Sequence, residues 1–318
     1  MIKILHNKEI DRQVWDNFIL QSPQTVIYAQ SWYLDIIAPD WKAYMVYNED
    51  LLLAVLPFKE GKKMFFSFNI LPAFCQQLGL FTIPNLKCAS NIADEIIEQW
   101  KQKYWLVSYS FNILNNSELE GINTKFSTNL THHLDLSSAY QSLYKNYSTN
   151  HKRNLKKAFQ AGLTVTKVSE IDALITLFKQ TKGQEIKEGS EKHYQVLKSL
   201  FSAAINKHSA IVLLAKNQEG AILAGGLFLQ YNNTIVYLFG ASTGEGKKHG
   251  AMMLVQDTLI QTYAGSQHIL DFEGSNIPSL ARFYKGFGAA EKKFYMVRHH
   301  RSILITVLKK IYLYVRSR

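Results

Sequence analysis

The sequence predicts an α/β protein with a mixed α+β sheet, arranged as two tandem units joined by a basic helical connector. Three observations predict it. Helical and strand-like segments run through one full α/β cycle by residue 135, and the same order returns after residue 162. A length of 318 residues suits two domains of ordinary size, and 47% hydrophobic content lets each bury a core, which excludes a disordered chain. The net charge of +11 is concentrated in two places. Residues 136–169 hold Lys145, Lys152, Arg153, Lys156, Lys157 and Lys167 with no acid, and the chain after Glu291 holds eight basic residues with no acid. Elsewhere 22 basic residues face 25 acidic ones, so this is a near-neutral protein with two basic segments rather than a uniformly basic nucleic-acid coat.

The first domain is expected over residues 1–135. Residues 9–38 have apolar positions at helical spacing, with Trp15, Phe18, Trp32, Tyr33 and Ile36 as core contacts. Residues 42–81 change to short β-branched and aromatic runs (43–47, 51–56 and 64–68), with turns at 48–50 and 60–62. Ser90 is read as the cap of a helix that carries Ile92, Ile96, Ile97 and Trp100 on one face, and a strand follows at 105–111. The polar stretch 115–131 has room for a further strand or two.

The second domain is expected over 136–300 and opens with the connector 136–162. Ser137 and Ser138 are read as caps of a helix through Tyr147. A second helix runs from His151 to Gln160 and is ended by Gly162. Its residues Lys152 with Lys156, and Arg153 with Lys157, stand four apart and make a basic face. That face is either solvated surface or a contact for phosphate groups, and Arg153 is the favoured anion clamp because its guanidinium binds bidentately. Helices over 170–182 and 191–207 follow, with strands at 210–216, 221–231 and 234–240. A helix over 250–263, a strand at 268–272 and a helix at 279–285 complete the domain. Residues 301–318 are a separate basic segment in which Ile303, Leu304, Val307, Leu308, Ile311, Tyr312 and Val315 recur at helical spacing. This amphipathic helix either packs on the protein or a partner, or touches an anionic membrane surface peripherally.

Several classes are excluded or disfavoured. Cys75 and Cys88 are too few and too far apart for a disulfide framework or zinc site, so a reduced, cytoplasmic setting with both thiols in a core is expected. No signal peptide is apparent, and no apolar run approaches the roughly 20 residues of a membrane span. The pairs His132–His133 and His299–His300 lack metal-ligand spacing, so no metal is expected.

Residues 238–250 read as a strand, a Gly-rich loop and a helix start, where backbone N–H groups can bind phosphate. A Walker A loop would need Gly at Ala241 and Ser or Thr at Lys248, and a dinucleotide fingerprint fails at His249. Beyond it, Asp271 and Glu273 alternate on a strand and are expected to share a face as paired carboxylates, or to cap the next helix, with Arg282 as a second partner for Asp271.

Residues 269–289 resemble the last strand and helix of the GNAT acyltransferase superfamily, through Asn276, Ser279, Tyr284 and the close Phe287-Gly288-Ala289. The loop 247–252 is similar to that family's acyl-CoA loop at Lys247 and Gly250, with bulky Met252 where the family has a small residue. The Asp271-Phe-Glu-Gly-Ser275 variant and the connector helix with Arg153-Asn154, Lys157-Ala158 and Gly162 look like the FemAB-like branch, whose members carry two tandem GNAT domains. The resemblance implies a degenerate first copy and acyl or aminoacyl transfer, from acyl-CoA such as acetyl-CoA or from aminoacyl-tRNA. The acceptor it implies is an amine of a small molecule or of a cell-envelope or polysaccharide precursor. It implies a donor in a splay between strands 234–240 and 268–272, with Gly240, Ala241, Lys247, Lys248, Gly250 and Asn276 binding it. Tyr284 would protonate the leaving thiolate or tRNA hydroxyl and Glu273 would deprotonate the amine. Arg153, Lys157, Asp271 and Lys285 are the candidate substrate contacts. A second reading is a catalytically inert double-GNAT module that recognises a glycan or peptide precursor.

Overall fold

The computed structural model describes residues 1–181, 191–274 and 276–301. The amphipathic helix expected over 301–318 falls, apart from Arg301, outside the described residues. The described residues form two compact units: Met1–Asn129 together with Lys293–Arg301, and Leu130–Lys292.

The first unit starts with β1 (Ile2–His6), α1 (Arg12–Gln21) and α2 (Ser31–Ile37). Asp11 caps α1 by accepting hydrogen bonds from the N–H groups of Gln13 and Val14. Strands β2 (Lys42–Asn48), β3 (Leu51–Phe58), β4 (Glu60–Lys63), β5 (Phe66–Ile70) and β6 (Phe81–Thr82) follow. Helix α3 (Ala89–Lys103), β7 (Leu106–Ser110) and the single turn α4 (Asn116–Leu119) come next. One sheet has the order β1-β2-β3-β6. Its core joins Trp15 to Trp41 at 4.8 Å between ring centroids, and Trp100 to Tyr109 at the same distance.

Three local expectations need correction here. Residues 60–62 are strand rather than turn, because Gly61 lies under the Phe68 ring, where a Cβ would sit 1.9 Å from a ring carbon. The turn falls instead at Met64 and Phe65. Ser90 is not the cap of α3: the helix starts at Ala89 with Cys88 at the cap position, although Ile92, Ile96, Ile97 and Trp100 are buried as their spacing predicts. Cys88 is exposed, so only Cys75 is a core thiol.

Strand β8 (Phe126–Asp135) leads into the second unit, which continues with α5 (Tyr140–Lys145), α6 (Thr149–Gln160), β9 (Thr164–Val168), α7 (Asp172–Gln180) and α8 (Glu191–Asn206). Then come β10 (Ala210–Lys216), β11 (Ile222–Tyr231), β12 (Thr234–Ser242), α9 (Gly244–His249), α10 (Ala251–Tyr263), β13 (Ile269–Gly274) and α11 (Pro278–Lys285). The last strand, β14 (Ala290–His300), pairs with β7 within the first unit from Met296 to His300. Within the second unit the strand order is β8-β13-β12-β11-β10-β9. Leu134, Leu155, Phe228, Val255, Phe272 and Phe287 are among its buried core residues.

Ser148 caps α6 by accepting from the His151 N–H, which starts this helix ahead of the expected residue. Ser137 and Ser138 cap nothing. The helix after them begins at Tyr140, and the Ser137 N–H donates to the Asp135 carboxylate instead. The Gly-rich loop is itself largely helical. Thr243 caps α9 by accepting from the Gly246 N–H, and Gly250, at φ +74°, ends α9 and opens α10.

Candidate active site

The site begins where two neighbouring strands stop pairing. β12 and β13 run parallel and pair from Thr234↔Ile269 to Val236↔Asp271, while β12 continues to Ser242 and β13 to Gly274. Both strands are irregular just past that point. On β12 the register against β11 jumps so that Leu238 is the extra residue between Tyr237 and Phe239. On β13 the register against β8 shifts between Asp271 and Gly274, with Glu273 at φ +61°. Such bulges bend a strand and redirect its side chains.

The β13 bulge is pinned by Asp271. Its Oδ1 accepts from the Glu273 N–H at 2.8 Å and from the Thr131 hydroxyl at 2.5 Å, and its Oδ2 lies 3.3 Å from His133 Nε2. The carboxylate is buried among these partners. Asp271 therefore pairs neither with Arg282 nor with Glu273 across a shared face. The left-handed residue breaks the strand alternation that the shared face assumed.

The diverging strands open a cavity of about 330 Å³. Tyr237 to Ser242, Lys247 and Met252 line one side; Glu273, Gly274, Leu280, Phe283 and Tyr284 line the other. Tyr237 donates its hydroxyl to Met252 Sδ at 3.5 Å, and Gly240 leaves room for that hydroxyl, since a Cβ there would lie 1.9 Å from it. Met252 is thus held in the cavity wall at the position where the similar loops carry a small residue.

Tyr284 is 7% exposed, and its ring stacks on Phe272 with centroids 4.9 Å apart and planes 21° apart. Burial raises its phenol pKa, and the charges of Glu273 and Asp271 raise it further. The hydroxyl therefore keeps its proton at neutral pH and can act as a proton donor. Fully buried His132 lies on the same side, its ring centroid 5.6 Å from that of Tyr284, and burial lowers its pKa so that it is neutral.

Helix α11 is clasped by the start of α6. His151 is buried, with Nε2 2.9 Å from the Phe283 carbonyl and Nδ1 3.0 Å from Ser148 Oγ. The contact to a carbonyl requires Nε2 to carry the proton. The ring is also edge-on to Phe287 at 4.4 Å. Gly286 makes this possible, because a Cβ there would sit 2.0 Å from the imidazole. The Ser148 N–H donates to the Gly286 carbonyl at 2.8 Å. Sequence reading placed His151 only at the start of the connector helix and gave it no role. Its one visible signal is its position three residues after the Ser148 cap, and its partner lies 132 residues away.

The structure brings Gly240, Ala241, Lys247, Glu273 and Tyr284 together around the cavity. The other expected residues lie off its wall. Lys248 and Asn276 are exposed. Gly250 serves helix packing: a Cβ there would lie 2.6 Å from the Asn154 carbonyl oxygen of α6. Arg153 and Lys157 are exposed on α6, with Arg153 donating to Asn150 Oδ1 at 2.9 Å, and Lys285 pairs with Glu291 at 2.7 Å. Among the described residues no group of three or more His, Cys, Asp or Glu side chains could hold a metal ion. No helix among them is long and apolar enough to cross a membrane.

Comparison with known proteins fits this geometry. Residues 145–276 match the family model of the acetyltransferase (GNAT) domain, so the second unit carries a GNAT domain. Solved structures match over nearly the whole chain. FemX is 14% identical with a TM-score of 0.65, covering 92% of this chain and 96% of its own. A tandem GNAT protein from the clavulanic acid biosynthesis pathway is 8% identical with a TM-score of 0.57, covering 94% and 98%. L-PGS from Bacillus licheniformis is 12% identical with a TM-score of 0.56, covering 95% of each chain. No curated protein matches the chain. The fold is the mixed α/β fold of the tandem GNAT proteins, and acyl transfer is the general chemistry of the domain it carries.

Proposed function

We propose that the protein is an N-acyltransferase of the FemAB-like type. It transfers an acyl or aminoacyl group from acyl-CoA or aminoacyl-tRNA to an amine of a small molecule or of a cell-envelope or polysaccharide precursor. The observation that carries this reading is the opening of β12 and β13 into a cavity that Glu273 and Tyr284 both border. The donor's acyl group sits between the diverging strands, where backbone N–H groups of 237–242 that no longer pair with β13 can hold its carbonyl oxygen. Lys247, at the cavity edge, meets negative charge on the donor.

Glu273 takes a proton from the incoming ammonium, freeing the lone pair that attacks the acyl carbonyl. A C–N bond forms, the thioester or ester bond breaks, and Tyr284 gives its proton to the departing sulfur or oxygen, while the surplus proton on the new amide nitrogen restores the Tyr284 phenol directly or through water. General acid catalysis supplies about 10²–10⁴-fold, and holding donor and amine in register supplies much of the remainder. The protein works in the cytoplasm, with peripheral membrane contact where its acceptor is lipid-linked, and uses no metal.

Thermal-shift measurements with CoA, acetyl-CoA and aminoacyl-tRNA, paired with a transfer assay on an amine panel, test the proposal. Stabilisation by one donor that Lys247→Ala weakens, together with turnover, supports it. Absence of stabilisation and turnover with every donor favours the inert binding module.

A further inference from the structure

The most exposed large apolar side chains in the described chain sit far in sequence from the acyl-transfer site. Strands β4 and β5 form a hairpin in the first unit, paired from Glu60↔Asn69 to Lys63↔Phe66, so that Met64 and Phe65 alone make the turn. Met64 is 75% exposed and Phe65 is 86% exposed, with Phe66 beside them at 43%. Met64 adopts φ +53°. Two-residue hairpin turns favour Asn, Asp or Gly at such positions, because a side chain there strains a left-handed backbone. This turn is therefore built against both local backbone preference and burial, the pattern expected where side chains serve a contact rather than the fold.

The charge around the tip has one sign. Lys62 and Lys63 are exposed directly before the turn. The nearby acid, Glu60, is neutralised by Lys42 at 2.7 Å and Lys103 at 3.2 Å. The described chain also ends beside this hairpin. Phe66 is edge-on to Trp105 with centroids 5.0 Å apart, and the Arg301 guanidinium lies 5.6 Å from the Trp105 ring centre. The sequence that follows Arg301 is rich in Ile, Leu, Val and Tyr, with Lys309, Lys310, Arg316 and Arg318 and no acid.

We propose that the Met64–Phe65 tip is a docking point for an anionic phospholipid membrane. The two side chains enter the headgroup–acyl boundary while Lys62 and Lys63 meet lipid phosphates. The geometry favours a bilayer over a protein partner. A convex tip of two or three side chains offers only a few hundred Å², against roughly 1,200 Å² for a stable protein interface. A fluid interface accepts a protruding apolar tip, and basic neighbours add attraction to anionic lipid. This surface is independent of the donor cavity and stands whether or not the acyl-transfer reading does.

Co-sedimentation of the full chain with phosphatidylglycerol/phosphatidylcholine vesicles, and with phosphatidylcholine alone, tests the proposal. The informative variant is Met64→Gly with Phe65→Asn, which puts glycine at the left-handed first turn position and so preserves or improves folding. The expected result is binding to the anionic vesicles that this double variant weakens about 10-fold or more. Lys62→Gln with Lys63→Gln should weaken it several-fold and remove much of its salt dependence. Unchanged vesicle binding in the turn variant would overturn the proposal and leave the sequence beyond Arg301 as the contact. Absence of wild-type binding would also overturn it, as would a dimer in solution that the turn variant abolishes.

Discussion

Among the described residues each unit contains a short parallel strand pair, and the two pairs end differently. In the first unit β5 and β7 pair over Phe68↔Leu106, Asn69↔Val107 and Ile70↔Ser108. Past that point the chain stays stitched: the Leu71 N–H donates to the Ser108 carbonyl, the Leu78 N–H donates to the Ser110 carbonyl, and Leu78 bridges to Phe111. In the second unit β12 and β13 also pair over three positions, and then a cavity opens. The tyrosines follow suit. Tyr109 is wholly buried, donates to the Pro57 carbonyl at 2.8 Å and accepts from the Gly79 N–H at 3.0 Å. Tyr284 borders the cavity. Backbone polar groups must be paired when buried. A closed seam spends them on the fold, and an open one leaves them for a ligand.

The largest expected effect separates the two tyrosines. Tyr284→Phe keeps the stack on Phe272 and should leave the melting temperature nearly unchanged, while turnover falls about 10²–10⁴-fold. Tyr109→Phe should do the reverse, costing about 1–3 kcal/mol in denaturant unfolding because two buried groups lose their partner, with turnover retained. Equal losses of turnover in both variants would break the contrast.

Next in size is the clasp on α11. His151→Leu strands the Phe283 carbonyl in a buried position and should cost about 1–3 kcal/mol. It should also lower kcat more than it raises KM, because the helix carrying Tyr284 loses its anchor. Gly286→Ala pushes a methyl into the same ring and should cost about 1–3 kcal/mol. Wild-type kcat in His151→Leu would show that the clasp only stabilises the fold.

Acid should reveal the buried imidazoles. Burial lowers the pKa of both His132 and His151 from the usual 6.5. The unfolded chain therefore takes up protons first as pH falls through 6.5, and stability declines until the lowered folded values are reached. Unfolding curves at pH 7.5 and 5.5, taken as roughly one unit either side of the usual histidine value, should show lower stability in acid. The pH dependence should be shallower in His151→Leu. The smallest effect is expected for exposed Arg153→Ala, with stability within about 0.5 kcal/mol and any activity change confined to KM.

The elements that build the open seam were legible in the sequence because their signals are local. The strands expected at 234–240 and 268–272 and the helix expected at 279–285 correspond to β12, β13 and α11, and the Tyr284 pattern resembled a known helix. The rest depends on contacts between distant residues. Nothing at Glu273 announces φ +61°, since the bulge is imposed by Asp271, Thr131 and the register of β8. His151 reads as a residue in a basic helix until Phe283 is placed against it. Gly250 looked like a phosphate-loop glycine because sequence cannot distinguish room for a ligand from room for the Asn154 carbonyl.

A structure of the protein with CoA or an unreactive aminoacyl-tRNA analogue bound tests the central claim most directly. The account predicts the donor between residues 237–242 and 273–274, with the atom that becomes the leaving group within hydrogen-bond reach of the Tyr284 hydroxyl. A donor seated away from the gap between β12 and β13, with Tyr284 out of reach, would contradict it.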